Sequence, residues 1–96
     1  MRQVILGLGM ALASYFKKRR ESLHIMDTRL QPPYLKDWLA IADESDRLTL
    51  GEFNWDLIES HSTCWVSPGL RPDLIPLEQL KQRSVAVKSD IDILMS

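Results

Sequence analysis

Two glycines and one carboxylate carry the clearest chemistry in this sequence. Gly7 and Gly9 form a GLG turn behind a short apolar run, Val4, Ile5 and Leu6. Asp27 follows Gly9 at close to the interval of roughly 20 residues at which a nucleotide-binding βαβ unit places an acid. Glycine reaches positive φ and has no Cβ, so Gly7 permits a tight turn and Gly9 lets a phosphate come up against backbone N–H groups. A helix starting near Met10 aims unpaired N–H groups and the positive end of its dipole at the same gap, which suits an anion. Asp27, at the tip of a second short strand, can then accept hydrogen bonds from a ribose or a base.

The motif is loose. A dinucleotide fingerprint asks for a third glycine where this sequence has Leu12, and Ala13 is the nearest small residue. Residues 4–16 also read as a continuous buried helix, or as a membrane anchor flanked by Lys17, Lys18, Arg19 and Arg20. The apolar stretch is shorter than the roughly 17 to 25 residues that span hydrocarbon. The basic cluster follows it instead of preceding it, so a signal peptide does not fit. Those four cations suit the last turn of the first helix, where they complement its dipole.

Composition narrows the class further. The 96 residues, 45% hydrophobic and 26% charged, suit one small globular domain. A net charge of −1 and a pI near 6.1 speak against a nucleic-acid or membrane-surface partner. The one cysteine, Cys64, excludes an intrachain disulfide and fits a cytoplasmic location; next to Trp65 and Val66 it reads as core. His24 and His61 have no second ligand at metal spacing, so no metal site is expected. Trp38, Trp55 and Trp65 share no period and read as core or interface residues.

The elements that must position these groups follow in order. Pro32 and Pro33 force a loop after Asp27. Leu35, Trp38, Leu39 and Ala42 recur at helical spacing. Residues 47–50 alternate as a third strand, although Thr49 and Glu52 could instead form a capping box; either way a helix is expected over about 54–59. Residues 63–66 make a strand that stops at Ser67, Pro68 and Gly69. Pro76 opens a helix through Leu77, Leu80 and Lys81 to about Arg83. Residues 84–87 form a fifth apolar run, and Ser89 or Asp90 can cap a last helix from Ile91. Short strands alternating with helices give an α/β fold with a parallel sheet covered on both faces.

Taken together, GLG at Gly7 to Gly9, MDTR with the following Pro32 and Pro33, VSPG ending at Gly69, and the terminal VAVKSDIDIL resemble one family over nearly the whole sequence. The resemblance is to the N-terminal domain of the D-glutamate-adding members of the Mur ligase family. It implies a Rossmann-like three-layer domain, with a five-stranded parallel sheet flanked by helices, spanning residues 1–96. The domain would bind the UDP end of UDP-N-acetylmuramoyl-L-alanine for peptidoglycan precursor synthesis. In such ligases ATP converts the substrate carboxylate to an acyl phosphate, the D-glutamate amine attacks it, and magnesium neutralises phosphate charge. The sequence contains no GxxxxGK[ST]. The resemblance therefore implies a first domain that is not catalytic by itself. ATP, magnesium and the central and C-terminal domains would belong to the full-length enzyme.

The same resemblance assigns roles residue by residue. Beyond the turn at Gly7, backbone N–H groups of Gly9, Met10 and Ala11 would face the diphosphate. Asp27, Thr28 and Arg29 would surround uracil and ribose, with the Asp27 carboxylate accepting, the Thr28 N–H donating to a base oxygen and the Arg29 guanidinium lying over the base. Ser67, Pro68 and Gly69 would form the opposing loop. Leu12 in place of the third glycine would push the first helix off the sheet, and Lys88-Ser89 is a second departure from the family pattern. Two rivals use the same residues differently. One is an NAD-binding redox domain built on the same turn and acid, and the other is a small interaction protein without catalysis.

Overall fold

The structure, a computed structural model, describes residues 3–66, 73 and 75–89. Five strands are present: β1 (Gln3–Leu6), β2 (Leu23–Asp27), β3 (Arg47–Leu50), β4 (Thr63–Val66) and β5 (Ala86–Ser89). Three helices lie between them: α1 (Met10–Lys18), α2 (Leu35–Ile41) and α3 (Leu77–Gln82). All four strand pairings are parallel, in the order β3-β2-β1-β4-β5. The polypeptide thus leaves β1 in one direction along the sheet and resumes from β1 in the other with β4. Parallel pairing requires both faces to be covered.

The strand residues alternate accordingly. Ile5, Leu23, Ile25 and Trp65 point to one face, where they pack with Leu8, Leu12, Ala13 and Phe16 of the α1 region and Trp38 of α2. Val4, Leu6, Met26 and Cys64 point to the other, against Ile58, Ile75, Leu80 and Val85. This is the expected three-layer Rossmann-like arrangement. Leu12 is buried in the first of these layers and Ala13 is fully buried beside it, so the position that lacks a third glycine is a core position.

Several elements differ in detail from the sequence expectation. The helix expected over 54–59 is a 3-10 turn, Trp55–Leu57, whose Asn54 side chain accepts from the Asp56 N–H (3.2 Å). Three residues cannot present a continuous apolar stripe; Ile58 and Trp55 fill the layer from an irregular segment instead. Thr49 lies within β3 with its hydroxyl on His24 Nε2 (2.8 Å), so it caps no helix and His24 is a satisfied core residue. β5 begins at Ala86, two residues later than expected, because Ser84 turns at φ 61 to close α3. Arg20, at φ 60, closes α1 in the same way: its N–H donates to Lys17 C=O (3.0 Å) and the Glu21 N–H donates to Phe16 C=O (3.1 Å). Ser89 is the last residue of β5, and the helix expected from Ile91 lies outside the described residues. Among the described residues no helix is long and apolar enough to cross a membrane.

Candidate functional site

Parallel strands place all their carboxyl ends along one edge, and the site is built there. Leu6 pairs with Met26 on one side and Val66 on the other. The turn that leaves β1 therefore emerges beside both the end of β2 and the end of β4. Gly7 makes this turn at φ 86, a conformation that costs a residue with a Cβ about 1–2 kcal/mol, and its N–H donates to Met26 C=O (2.7 Å). Gly9 is in ordinary extended conformation (φ −130, ψ 129) and precedes α1 as its N-cap. Gly9 is thus not required by its backbone angles; its use is the absence of a side chain in front of the helix.

The first α1 hydrogen bond runs from the Ala13 N–H to Gly9 C=O (3.3 Å). The N–H groups of Met10, Ala11 and Leu12 consequently lie outside the helix's own ladder. Met10 is half-buried and Ala11 exposed, so this end of α1 faces outward with the dipole's positive pole.

Asp27 joins the glycine turn to the end of β2. It is buried, and its carboxylate accepts four hydrogen bonds. The Leu8 N–H donates to Oδ2 (2.9 Å) and the Arg29 N–H donates to Oδ1 (2.8 Å). The Arg29 guanidinium adds Nε to Oδ1 (2.9 Å) and Nη2 to Oδ2 (2.8 Å), a two-pronged ion pair. The Asp27 backbone carbonyl accepts from the Gly51 N–H (2.8 Å) at the end of β3. Burial pushes the Asp27 pKa up, but the hydrogen bonds from Arg29 and Leu8 outweigh it and hold the carboxyl below its ordinary value. The same pair raises the Arg29 pKa.

The structure brings Gly7, Gly9, Met10, Ala11, Asp27, Thr28 and Arg29 to one edge, with Thr28 and Arg29 exposed. Ser67, Pro68 and Gly69 lie outside the described residues; the strand before them ends at Val66, paired with Leu6. One expected role needs revision in the structure as it stands: the Asp27 carboxylate expected to meet ribose or base is already filled by protein donors. Sequence reasoning missed two contributors. Leu8 acts through its backbone N–H, which no residue type announces. Gly51, at φ 90, acts through the N–H that holds Asp27; a Cβ there would lie 3.1 Å from Leu30 Cδ2. A glycine directly after a strand was the available signal for the second.

Other candidates resolve as structure. Cys64 is fully buried, and burial pushes its thiol up to about 12, against a small opposing effect of the Arg83 charge. That is the wrong direction for a nucleophile. Arg29 does not reach toward the acidic patch at Asp43 and Asp46; Lys17 holds both, at 2.9 and 2.7 Å.

Comparison with known proteins agrees with this edge. Residues 1–89 match the family described as Mur ligase MurD-like, N-terminal domain. The chain is 36% identical over 101 residues to the UDP-N-acetylmuramoylalanine–D-glutamate ligase of Bordetella pertussis, an alignment covering 94% of this chain and 20% of that enzyme. It is 32% identical over 95 residues to the ligase of the same name from Methylococcus capsulatus, covering 96% of this chain and 20% of the enzyme. The chain thus spans about one fifth of the length of the curated relatives it matches. With a family model matched from residue 1 to residue 89, this chain belongs to the MurD-like N-terminal domain family of the Mur ligases.

Proposed function

We propose that this domain binds the uridine diphosphate end of UDP-N-acetylmuramoyl-L-alanine, as the first domain of an ATP-dependent ligase that adds D-glutamate to a peptidoglycan precursor. The observation that carries the reading is the junction at the carboxyl edge of the sheet. There a side-chain-free turn, the open N-terminus of α1 and the Asp27–Arg29 pair converge. The diphosphate would lie on the N–H groups of Gly9, Met10 and Ala11, where helix-end donors and dipole favour negative charge. The nucleoside would lie toward Thr28 and Arg29, with the segment containing Ser67, Pro68 and Gly69 on the far side of the β1–β4 switch point.

ATP and magnesium do not fit the residues present. The sequence has no GxxxxGK[ST], and among the described residues no three His, Cys, Asp or Glu side chains converge to hold a metal. Activation of the carboxylate and amide formation are assigned to the further domains of the longer enzyme, which are also this domain's partners. The share of this domain is to hold and orient the nucleotide end, a positioning contribution to catalysis elsewhere.

Binding by the lone domain is expected to be weak, because the rest of the substrate would rest on other domains. The dissociation constant should be no tighter than roughly 0.1 mM, about −5.5 kcal/mol. Saturation-transfer NMR with UDP-N-acetylmuramoyl-L-alanine should show uridine protons in contact with the protein. Absence of that transfer, or unchanged affinity in Arg29→Ala, would count against the site.

A further inference from the structure

We propose that Asp27 is a positioning residue that holds the glycine turn and Arg29 in fixed relation and does not itself touch the nucleotide. This rests on the nucleotide-binding reading above. A carboxylate offers about four lone-pair directions. In Asp27 all four are used, at 2.8 to 2.9 Å, by Leu8 N–H, Arg29 N–H, Arg29 Nε and Arg29 Nη2. The side chain is 3% exposed, whereas that of Arg29 is 53% exposed. A base or ribose could reach the carboxylate only by expelling the guanidinium. It would then replace two charge-assisted bonds with neutral ones, which are about half as strong.

What the arrangement presents outward is Arg29. A guanidinium has five N–H donors in one plane, and two are committed to Asp27. The remaining three and one face of the plane stay available, and the fork fixes their direction. The opposite arm of the carboxylate, through Leu8, holds the residue between Gly7 and Gly9. One buried group therefore sets both the diphosphate side and the nucleoside side of the site. A carboxylate in this role favours uridine and cytidine nucleotides equally. A carboxylate bonded to the base would distinguish them, because uracil N3 donates a hydrogen bond and cytosine N3 accepts one.

The test uses the 96-residue protein and its Asp27→Asn and Arg29→Ala variants, titrated with UDP and with CDP well below each melting temperature. The Leu8 amide and Arg29 Nε–H signals are followed by ¹H–¹⁵N NMR. Both signals should move in ligand-free Asp27→Asn. UDP and CDP should each weaken by a similar factor, about tenfold, the equivalent of one or two lost polar contacts. Arg29→Ala should produce a like loss for both, and the double variant little more, as expected of residues acting through one network. Selective loss of the preference for UDP over CDP in Asp27→Asn, or a Leu8 amide that does not move, would overturn the proposal. If Asp27→Asn does not fold, Arg29→Ala decides: undiminished UDP binding overturns it. Wild-type protein that binds neither nucleotide would overturn the nucleotide site itself, and this proposal with it.

Discussion

β2 has a buried carboxylate at each end, and the two do different work with nearly the same contacts. At the carboxyl end Asp27 accepts the Leu8 N–H and pairs with Arg29. At the amino end Asp46 accepts the Leu23 N–H (2.8 Å) and the Asp43 N–H (2.9 Å) and pairs with Lys17 (2.7 Å). Each acid ties the sheet to a neighbouring loop. The cations differ: the Lys17 side chain is 13% exposed, enclosed between α1 and the segment before β3, whereas that of Arg29 is 53% exposed. The amino end is closed over its charge; the carboxyl end leaves donors facing outward beside a turn of glycines and an open helix N-terminus. A buried acid paired with a base is thus not in itself a site. What makes one is the unused donor capacity left in front of it.

The sharpest way to break that comparison is to remove one member at each end. Asp46→Ala strands the Leu23 and Asp43 N–H groups and takes one of two acids from Lys17. It should cost about 3–5 kcal/mol, the range for breaking a buried pair and a large part of the roughly 5–15 kcal/mol that holds a domain together. UDP affinity per folded molecule should not change. Arg29→Ala should cost only about 0–1 kcal/mol of stability, because its guanidinium is half solvated, while lowering affinity about tenfold. Denaturant midpoints and calorimetry on the two variants check this. Equal stability losses, or an affinity loss in Asp46→Ala, would end the division between a closed and an open end.

The two glycines sharpen the same contrast within the site. Alanine at Gly7 must adopt φ near 86 and should cost roughly 1–2 kcal/mol. Alanine at Gly9 enters an extended conformation that any residue adopts, so stability should stay within about 0.5 kcal/mol. Its methyl group would, however, stand before the α1 N–H groups and weaken diphosphate binding. Thermal melts and pyrophosphate titrations of both variants separate the structural glycine from the ligand-facing one.

The layered fold was legible because period-2 alternation in Val4, Ile5 and Leu6 and in β2 sorts side chains onto two faces, each of which needs cover. The glycine turn and Asp27 were legible for a related reason: glycine marks positions where a Cβ is excluded, and an acid at a strand tip is uncommon unless satisfied. What escaped the sequence were arrangements carried by backbone groups. The Leu8 N–H has no side-chain signature, and the helix stops at Arg20 and Ser84 use left-handed residues without the glycine that usually announces them. The segment around Trp55 has helix-forming residues but too few of them in register, and tertiary packing of Ile58 and Trp55 prevailed over local pattern. Lys17 was placed correctly at the helix end, yet its principal partners are Asp43 and Asp46, distant in sequence.

The smallest expected effects concern pH, and they too divide the two ends. Asp43 is held down to about 2, chiefly by the Ser45 hydroxyl and then by Lys17, and Asp27 is held below its ordinary value by Arg29 and Leu8 despite burial. A carboxyl whose folded pKa is depressed below about 3.9 contributes stability that is complete above that value and lost as pH falls through the folded one. Urea midpoints should therefore hold steady from about pH 7 to 5 and fall between about pH 4 and 2, with both ends contributing. Alkali acts on one end alone. For Lys17, burial works to lower the pKa, but Asp46 and Asp43 outweigh it and raise it, so its contribution is complete below about pH 10.4 and lost as pH climbs through the folded value. Arg29 keeps its charge throughout that range. The stability gap between wild type and Lys17→Met should start to close above about pH 10.4, while that between wild type and Arg29→Ala should not. Parallel closing of both gaps would mean that the guanidinium at the open end is held no more firmly than the ammonium at the closed one.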